Sequence, residues 1–131
     1  MKQPRWLSVA MVTAIHDEAI YEFGGLAGIR DQGLLESAVD RPRNVLGYQP
    51  ESTLFELAAS LGVGIAKNHA FNDGNKRTAL LVTRAFLFIN GHDFDPAEDD
   101  EVHTMVGVAD GSIDEAMFSN WLRANSSKLR T

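Results

Sequence analysis

The chain has no cysteine and no long apolar run. Without cysteine it has no disulfide framework, no thiolate zinc site and no cysteine nucleophile. A membrane-spanning helix needs roughly 18–20 predominantly apolar residues, and no run approaches that length, so we expect no membrane partner. The first residues also lack the apolar centre of a secretory signal. We therefore expect a cytoplasmic protein.

Basic residues are in the minority, with 12 Lys and Arg against 18 Asp and Glu and a net charge of −6. A nucleic-acid backbone requires a basic face, so we expect no direct nucleic-acid binding. Positive charge nevertheless gathers at Lys67, Lys76, Arg77 and Arg84. Such a local patch suits a small anion such as a nucleotide phosphate, although charge alone is better explained as an ordinary solvated surface.

The 131 residues, 44% of them apolar, predict a single domain over residues 1–131 with a real core. Apolar positions with a 3.6-residue period predict a first helix over 9–23, which Gly24 ends. A second helix should start after Asp31 and end near Pro42. Thr53 and Glu56 form a capping-box pattern that starts a third.

A fourth helix is predicted over residues 75–90, where the sequence is apolar nearly all round after the first turn. A helix of this kind is buried at the centre of a bundle. Ser112 and Glu115 predict the cap of a final helix, and the last six residues should be frayed. The predicted fold class is all-α, a compact helical bundle around this central helix.

The segment H-A-F-N-D-G-N-K-R, residues 69–77, leads into the central helix. A helix N-terminus offers unpaired N–H groups and a positive dipole end, which suit a phosphate. Gly74 permits a sharp turn and leaves room for an approaching anion. Asn75, Lys76 and Arg77 would then cradle and neutralise the phosphate. Cations in a first turn oppose the helix dipole, and such a broken local rule often marks a site.

Two side chains of this segment have a possible catalytic role. Asp73 suits either an N-cap or a carboxylate that holds Mg²⁺ beside phosphates, and on its own the two roles are equally favoured. An isolated histidine is more often structural, but His69 lies beside the predicted anion site. There an imidazole can take a proton from a hydroxyl near neutral pH.

Two other motifs are rejected. Residues 74–78, G-N-K-R-T, are similar to the end of a P-loop, but the first glycine and the preceding strand are missing. His16 and Asp17 resemble the metal-binding dyad of HD phosphohydrolases. A metal would need further ligands from other helices, and His92 and His103 would supply them only by coincidence.

The whole segment resembles the signature H-x-F-x-[DN]-[AG]-N-K-R of the Doc (death-on-curing) toxins in the Fic/Doc, or Fido, superfamily. The resemblance extends to His16-Asp17, Gly24-Gly25, G-I-R-D at 28–31 and L-L-E-S-A-V at 34–39. It implies a Fic/Doc-type bundle. It also implies the toxin of a type II toxin–antitoxin system, a kinase that transfers the γ-phosphate of ATP to a threonine of a protein such as elongation factor Tu and so inhibits translation.

The resemblance also implies roles for individual residues. His69 would be the general base, Asp73 would position Mg²⁺, and Gly74 to Arg77 would bind the phosphates. Lys67 stands where a Doc toxin has an arginine, and lysine lacks the bidentate fork of that residue. The segment 22–31 is similar to the flap that docks a target by strand addition; a mobile loop is an equal alternative. No inhibitory pattern [ST]-x-x-x-E-[GN] is present, so a Phd-like antitoxin is the implied partner.

Two alternatives to the kinase remain open. Fic enzymes that transfer AMP carry H-P-F-x-x-G-N-G-R-x-x-R, whereas this chain has Lys76 in place of the second glycine and Leu80 in place of the last arginine. Both differences favour the kinase over nucleotidyl transfer to a protein hydroxyl. A catalytically silent Fido domain that acts only by binding is the third possibility, and the intact His69, Asp73 and Asn75 argue against it.

Overall fold

The computed structural model describes residues 3–130. Within that range the chain forms six helices and one small antiparallel sheet, and none of the helices is long and apolar enough to cross a membrane. The predicted all-α bundle is confirmed. The elements are α1 (Val9–Phe23), α2 (Gln32–Tyr48), α3 (Leu54–Asn68), α4 (Asn75–Ile89), β1 (His92–Phe94), α5 (Glu98–Asp110), α6 (Glu115–Ala124) and β2 (Ser126–Lys128).

Helices α3 and α4 form the centre of the bundle. Helix α4 matches the predicted central helix and buries Val82, Phe86 and Leu87. Helix α3 shares the centre and packs against α2, α4 and α6. It is buried without a break from Leu57 to Gly62. The loop between these two helices, residues 69–74, is the first part of the motif. Both ends of this loop are therefore attached to buried helices.

Glycine on α3 allows its neighbours to come very close. A Cβ at Gly62 would lie 2.5 Å from Thr83 Oγ1 of α4 and 2.8 Å from Phe118 Cε2 of α6. At Gly64 it would lie 3.3 Å from Ala38 Cβ of α2. Separations below 3 Å do not occur between such atoms without movement, so the depth of α3 in the bundle is fixed by side chains on two other helices.

The start of α3 is as predicted. Thr53 Oγ1 accepts the N–H of Glu56 at 3.2 Å, and the Glu56 carboxylate accepts the N–H of Thr53 at 2.9 Å. These two bonds satisfy N–H groups that a helix start leaves unpaired. The bond from the Thr53 N–H also lowers the pKa of Glu56, because it favours the ionised form of the carboxylate.

Helix α2 does not end at Pro42 as predicted but continues to Tyr48. Proline inside a helix removes one hydrogen bond and costs about 3 kcal/mol or more. Here Pro42 is buried on the same stripe as Leu35, Val39 and Val45. Burial of this stripe against the core outweighs the local penalty of proline. A rule based on the local sequence does not include the stabilisation from this burial.

Two predictions for the C-terminal part are also wrong. The cap of α6 is Asp114, whose side chain accepts the N–H of Met117 at 2.8 Å; Ser112 instead donates its hydroxyl to Gly107. Residues 126–128 are not frayed. They pair with β1 in the register His92 with Lys128 and Phe94 with Ser126, which ties residues 126–128 to the segment after α4. Thr131, the last residue of the predicted frayed tail, lies outside the described residues.

Candidate active site

The motif lines a cavity of about 770 Å³ between α1, the start of α4 and α5. Ligand pockets commonly have volumes of 300–1,000 Å³. Five predicted site residues that are consecutive in the sequence, Asp73 to Arg77, line this cavity together with His69. The residues of the motif that line it are His69, Asn72, Asp73, Gly74, Asn75, Lys76 and Arg77.

His69 ends α3 and is exposed to solvent at the cavity. Its backbone is left-handed, with φ 51° and ψ 45°, and among residues 3–130 no other residue except glycine has positive φ. Arg30 stabilises this turn, because its Nε donates to the His69 carbonyl at 2.6 Å and its Nη2 to the Asn68 carbonyl at 3.4 Å. The strained turn directs the imidazole away from the core, where it can meet a substrate hydroxyl.

Asp73 lies on the same wall with its carboxylate exposed. It accepts the Leu26 N–H at Oδ2, 3.1 Å away, and the Gly74 N–H at Oδ1, 2.8 Å away. These bonds, that of Leu26 first, hold the pKa of Asp73 below its usual range. The carboxylate is therefore ionised at neutral pH and keeps free lone pairs on both oxygens.

The first turn of α4 is open toward an anion. Gly74 is its N-cap at φ 73° and supplies no capping side chain, and the turn contains no acidic residue. Lys76 and Arg77 are exposed. The Arg77 guanidinium lies 4.0 Å over the ring of Phe23, a cation–π contact that orients it beside the cavity.

The Asn75 side chain, predicted to bind phosphate, forms hydrogen bonds to the main chain of the motif loop. Its Oδ1 accepts the Phe71 N–H at 3.1 Å and its Nδ2 donates to the Phe71 carbonyl at 3.0 Å. Both polar atoms therefore clasp the motif loop, whose Phe71 side chain is buried in the core. The backbone N–H of Asn75 remains in the first turn of α4, where a phosphate would meet it.

Lys67 is placed apart from the other predicted residues. It is exposed on the last turn of α3 and is not among the residues that line the cavity. Its amine is 3.7 Å from the point that a Cβ would occupy at Gly111, after the end of α5. Contact with a phosphate would require this side chain to turn toward the cavity.

The flap segment, residues 22–31, is joined to the motif loop by backbone pairing. Ile29 and Phe71 form an isolated antiparallel bridge, the Asn72 N–H donates to Gly28 at 3.1 Å, and the Asn72 side chain donates to Ala27 at 3.0 Å. A Cβ at Gly25 would come 2.9 Å from Asp73 Oδ2. The flap therefore lies directly against the carboxylate.

Sequence reasoning missed these contacts of the flap and the role of His16. The His16 ring is buried, and its Nε2 is 2.8 Å from the Asp73 carbonyl. A signal was available, because His16 follows Val12 and precedes Ala19 at the spacing of the buried face of α1. Among residues 3–130 no group of three or more His, Asp or Glu side chains is arranged to hold a metal ion.

Comparison with known proteins identifies the class to which this fold and site belong. The Fic/DOC family profile matches residues 6–87, which include α1 to most of α4 and the whole motif. The chain belongs to the Fic/DOC family, and the resemblance seen in the motif is confirmed.

Two relatives are similar over most of the chain. It is 38% identical to "Protein kinase doc" of Escherichia phage P1 over 120 residues, 91% of this chain and 94% of the relative. It is 41% identical to "Toxin Doc" of Mycolicibacterium smegmatis (strain ATCC 700084 / mc(2)155) over 97 residues, 70% of this chain and 75% of that protein.

Proposed function

We propose that this protein is a Doc-type toxin that transfers the γ-phosphoryl group of ATP to a threonine hydroxyl of a protein such as elongation factor Tu, in the cytoplasm, and so inhibits translation. The family and the relative named a protein kinase support a protein-modifying transferase. The observation that carries the proposal is the placement of an exposed imidazole, an ionised carboxylate and an open helix start on one cavity.

The reaction needs little covalent participation by the protein. His69 takes the proton of the attacking hydroxyl, whose oxygen bonds to the γ-phosphorus as the bond from that phosphorus to the β–γ bridging oxygen breaks, and ADP leaves. In-line phosphoryl transfer depends mainly on positioning and on stabilisation of negative charge. The N–H groups that follow Gly74, with Lys76 and Arg77, supply both at the start of α4, while the Gly74 N–H holds the Asp73 carboxylate.

The donor set fits Mg²⁺ with ATP. A hard cation takes carboxylate, phosphate and water oxygens together, and Asp73 offers an exposed, ionised carboxylate beside the helix start. Since the described residues contain no three-residue cluster, phosphates and water would complete the coordination. Bound there, Mg²⁺ would neutralise phosphate charge, while Asp73 fixes its position.

Two residues of α4 favour phosphoryl transfer over AMP transfer. Lys76 occupies the position of a glycine in the AMP-transferring pattern, and Leu80 lines the cavity where that pattern has an arginine. Arg84 does not replace it, because its Nη2 is paired with Glu101 Oε1 at 2.6 Å. With Lys76 present and no free arginine at position 80 or 84, the positive charges suit an ATP whose terminal phosphate faces His69.

The same proposal includes a Phd-like antitoxin partner, supported by the relative named a toxin, and docking of the target segment at the flap. The exposed apolar side chains beside the cavity are suited to a partner chain; they are Phe23, Val102 and Val106.

The test is transfer of label from ATP to purified elongation factor Tu, with γ-labelled and α-labelled ATP in parallel. We expect only the γ-label to appear, and the target to gain the mass of one phosphate. Transfer of the α-label with the mass of AMP would establish nucleotidyl transfer instead. Absence of both, with nucleotide and target still bound, would indicate a silent binding domain.

The matched variants are His69→Ala and His103→Ala. Both histidines are exposed, but His103 lies on α5 and does not line the cavity. Loss of general-base catalysis typically costs about 10²- to 10⁴-fold. We expect that loss for His69→Ala alone; an unchanged rate would remove His69 from the mechanism.

A further inference from the structure

His16 is a buried imidazole that the proposed reaction does not use. It lies within α1, far from the motif in sequence, and only 1% of it is exposed. Its Nε2 is 2.8 Å from the main-chain oxygen of Asp73, and its ring is stacked on Phe71 with centroids 3.8 Å apart and planes 6° apart. We propose that His16 is a positioning residue, which holds the backbone at Asp73 so that the carboxylate faces the cavity.

The hydrogen-bond chemistry defines the state of the ring. A carbonyl oxygen only accepts, so His16 Nε2 must carry the hydrogen in this contact. In the neutral ring Nδ1 is then bare, and it is buried with no hydrogen-bond partner in the part of the chain that the structure describes. The Asp17 carboxylate oxygen Oδ1 is 3.8 Å from Nδ1, beyond hydrogen-bond distance. Burying a nitrogen without a hydrogen-bond partner costs free energy. The bond from Nε2 to Asp73 offsets part of the cost of burying the imidazole on this apolar face.

The contact sets the direction of the next peptide group. In a trans peptide the C=O and N–H point in opposite directions. With the Asp73 oxygen held toward His16 inside α1, the Gly74 N–H points outward, where it donates to Asp73 Oδ1 at 2.8 Å. The same bond therefore places the Gly74 N–H where it holds the Asp73 carboxylate at the cavity wall.

A second contact from α1 supports this turn. A Cβ at Gly74 would lie 3.3 Å from Ile20 Cδ1 and 3.9 Å from His16 Nε2. Ile20 lies one turn after His16 on the same side of the helix. Helix α1 is thus the surface on which residues 73 and 74 rest, and His16 is its hydrogen-bonding member.

The role of Asp73 in this inference rests on the proposed function, so the kinetic test uses the transfer reaction. His16→Leu keeps apolar bulk and removes the N–H, whereas His16→Gln keeps a donor that can reach the Asp73 oxygen. We expect His16→Leu to raise the Mg²⁺ concentration for half-maximal rate and to lower kcat by about 10- to 100-fold, as for other outer-shell partners of a metal ligand. His16→Gln should recover much of both.

A double-variant comparison separates positioning from general destabilisation. If His16 acts through Asp73, His16→Leu should add little to the loss already caused by Asp73→Asn. A merely structural role would lower the melting temperature but leave the Mg²⁺ dependence unchanged, and its effect would add to that of Asp73→Asn. Either of those results overturns the proposal.

A measurement on the wild-type protein decides the contact without any activity. Nitrogen-15 NMR of the imidazoles distinguishes a ring protonated at Nε2 from one protonated at Nδ1. We expect the Nε2–H form for His16, with slow exchange of that hydrogen. A His16 that is protonated only at Nδ1 cannot donate to Asp73 and refutes the inference, even if the His16→Leu chain does not fold. If the wild type transfers no phosphoryl group, the proposed function fails and this NMR result still stands.

Discussion

The clasp between Asn75 and Phe71 gives the sharpest stability prediction. Asn75→Ala removes two hydrogen bonds, 3.1 and 3.0 Å long, and leaves the main-chain N–H and C=O of a residue whose side chain is 1% exposed without these partners. An unsatisfied buried group costs about 1–3 kcal/mol. Two such groups, partly rehydrated at the loop surface, give an expected loss of about 2–4 kcal/mol in the free energy of unfolding.

Asn75→Asp tests the geometry of the clasp rather than its presence. An ionised carboxylate still accepts the Phe71 N–H but cannot donate to the Phe71 carbonyl, so stability is lost at pH 7. Its favourable charge at the helix start offsets this by only about 0.3–1 kcal/mol. When protonated, the acid again has one acceptor and one donor. The deficit of Asn75→Asp relative to wild type should therefore shrink below about pH 4, whereas that of Asn75→Ala should not.

Urea unfolding followed by fluorescence of the two tryptophans measures both variants between pH 3 and 7. Asn44→Ala, which changes an exposed asparagine within α2, is the matched control and should stay within about 0.5 kcal/mol of wild type or gain slightly. A loss below about 0.5 kcal/mol for Asn75→Ala, or an Asn75→Asp deficit that does not change with pH, would refute the clasp.

Three further predictions concern the core, the carboxylate and the helix start. Gly62→Ala should lower stability by about 1–3 kcal/mol through overpacking, whereas Gly47→Ala, with no atom near its new Cβ, should stabilise α2 by up to about 1 kcal/mol; thermal melting compares them. The pKa of Asp73 is lowered by folding, so its ionised form stabilises the fold above its unfolded pKa, about 3.9, and this is lost as pH falls through the folded value. The stability difference between wild type and Asp73→Asn should thus be flat above about pH 5 and change only in stronger acid; a change near neutral pH would contradict the assignment. Lys76→Ala should raise KM for ATP about tenfold, the loss of about 1.4 kcal/mol, in initial-rate assays, while the same change at Lys128 should have no effect.

The parts of the fold that follow from neighbouring residues could be predicted from the sequence. The Thr53–Glu56 cap, the stop at Gly24 and the start of α4 at Asn75 each depend on a few consecutive residues. The motif likewise lies within one loop and one helical turn, so its placement at the start of a buried helix followed from the pattern.

The remaining features depend on contacts between distant segments. Helix α2 continues through Pro42 because of burial against the core. Residues 126–128 are a strand because they pair with β1, and His16 of α1 contacts the Asp73 backbone. None of these partners is near in sequence, so local patterns could not show which side chain meets which. Asn75 is a different case, because its partner Phe71 is only four residues away; the amide side chain was compatible with both a ligand contact and this local pair of bonds, and the sequence did not distinguish them.

The tight crossing at Gly62 has a consequence for genetics. His69 is the residue directly after this helix, about two turns beyond Gly62, so a lateral shift of α3 that makes room for a larger side chain at 62 also displaces the imidazole. Under the proposed toxin function, a selection for chains that no longer arrest growth should yield substitutions at this interior glycine beside those at His69. Second-site suppressors of such changes should map to smaller residues at Thr83 and Phe118, the two side chains that close the gap.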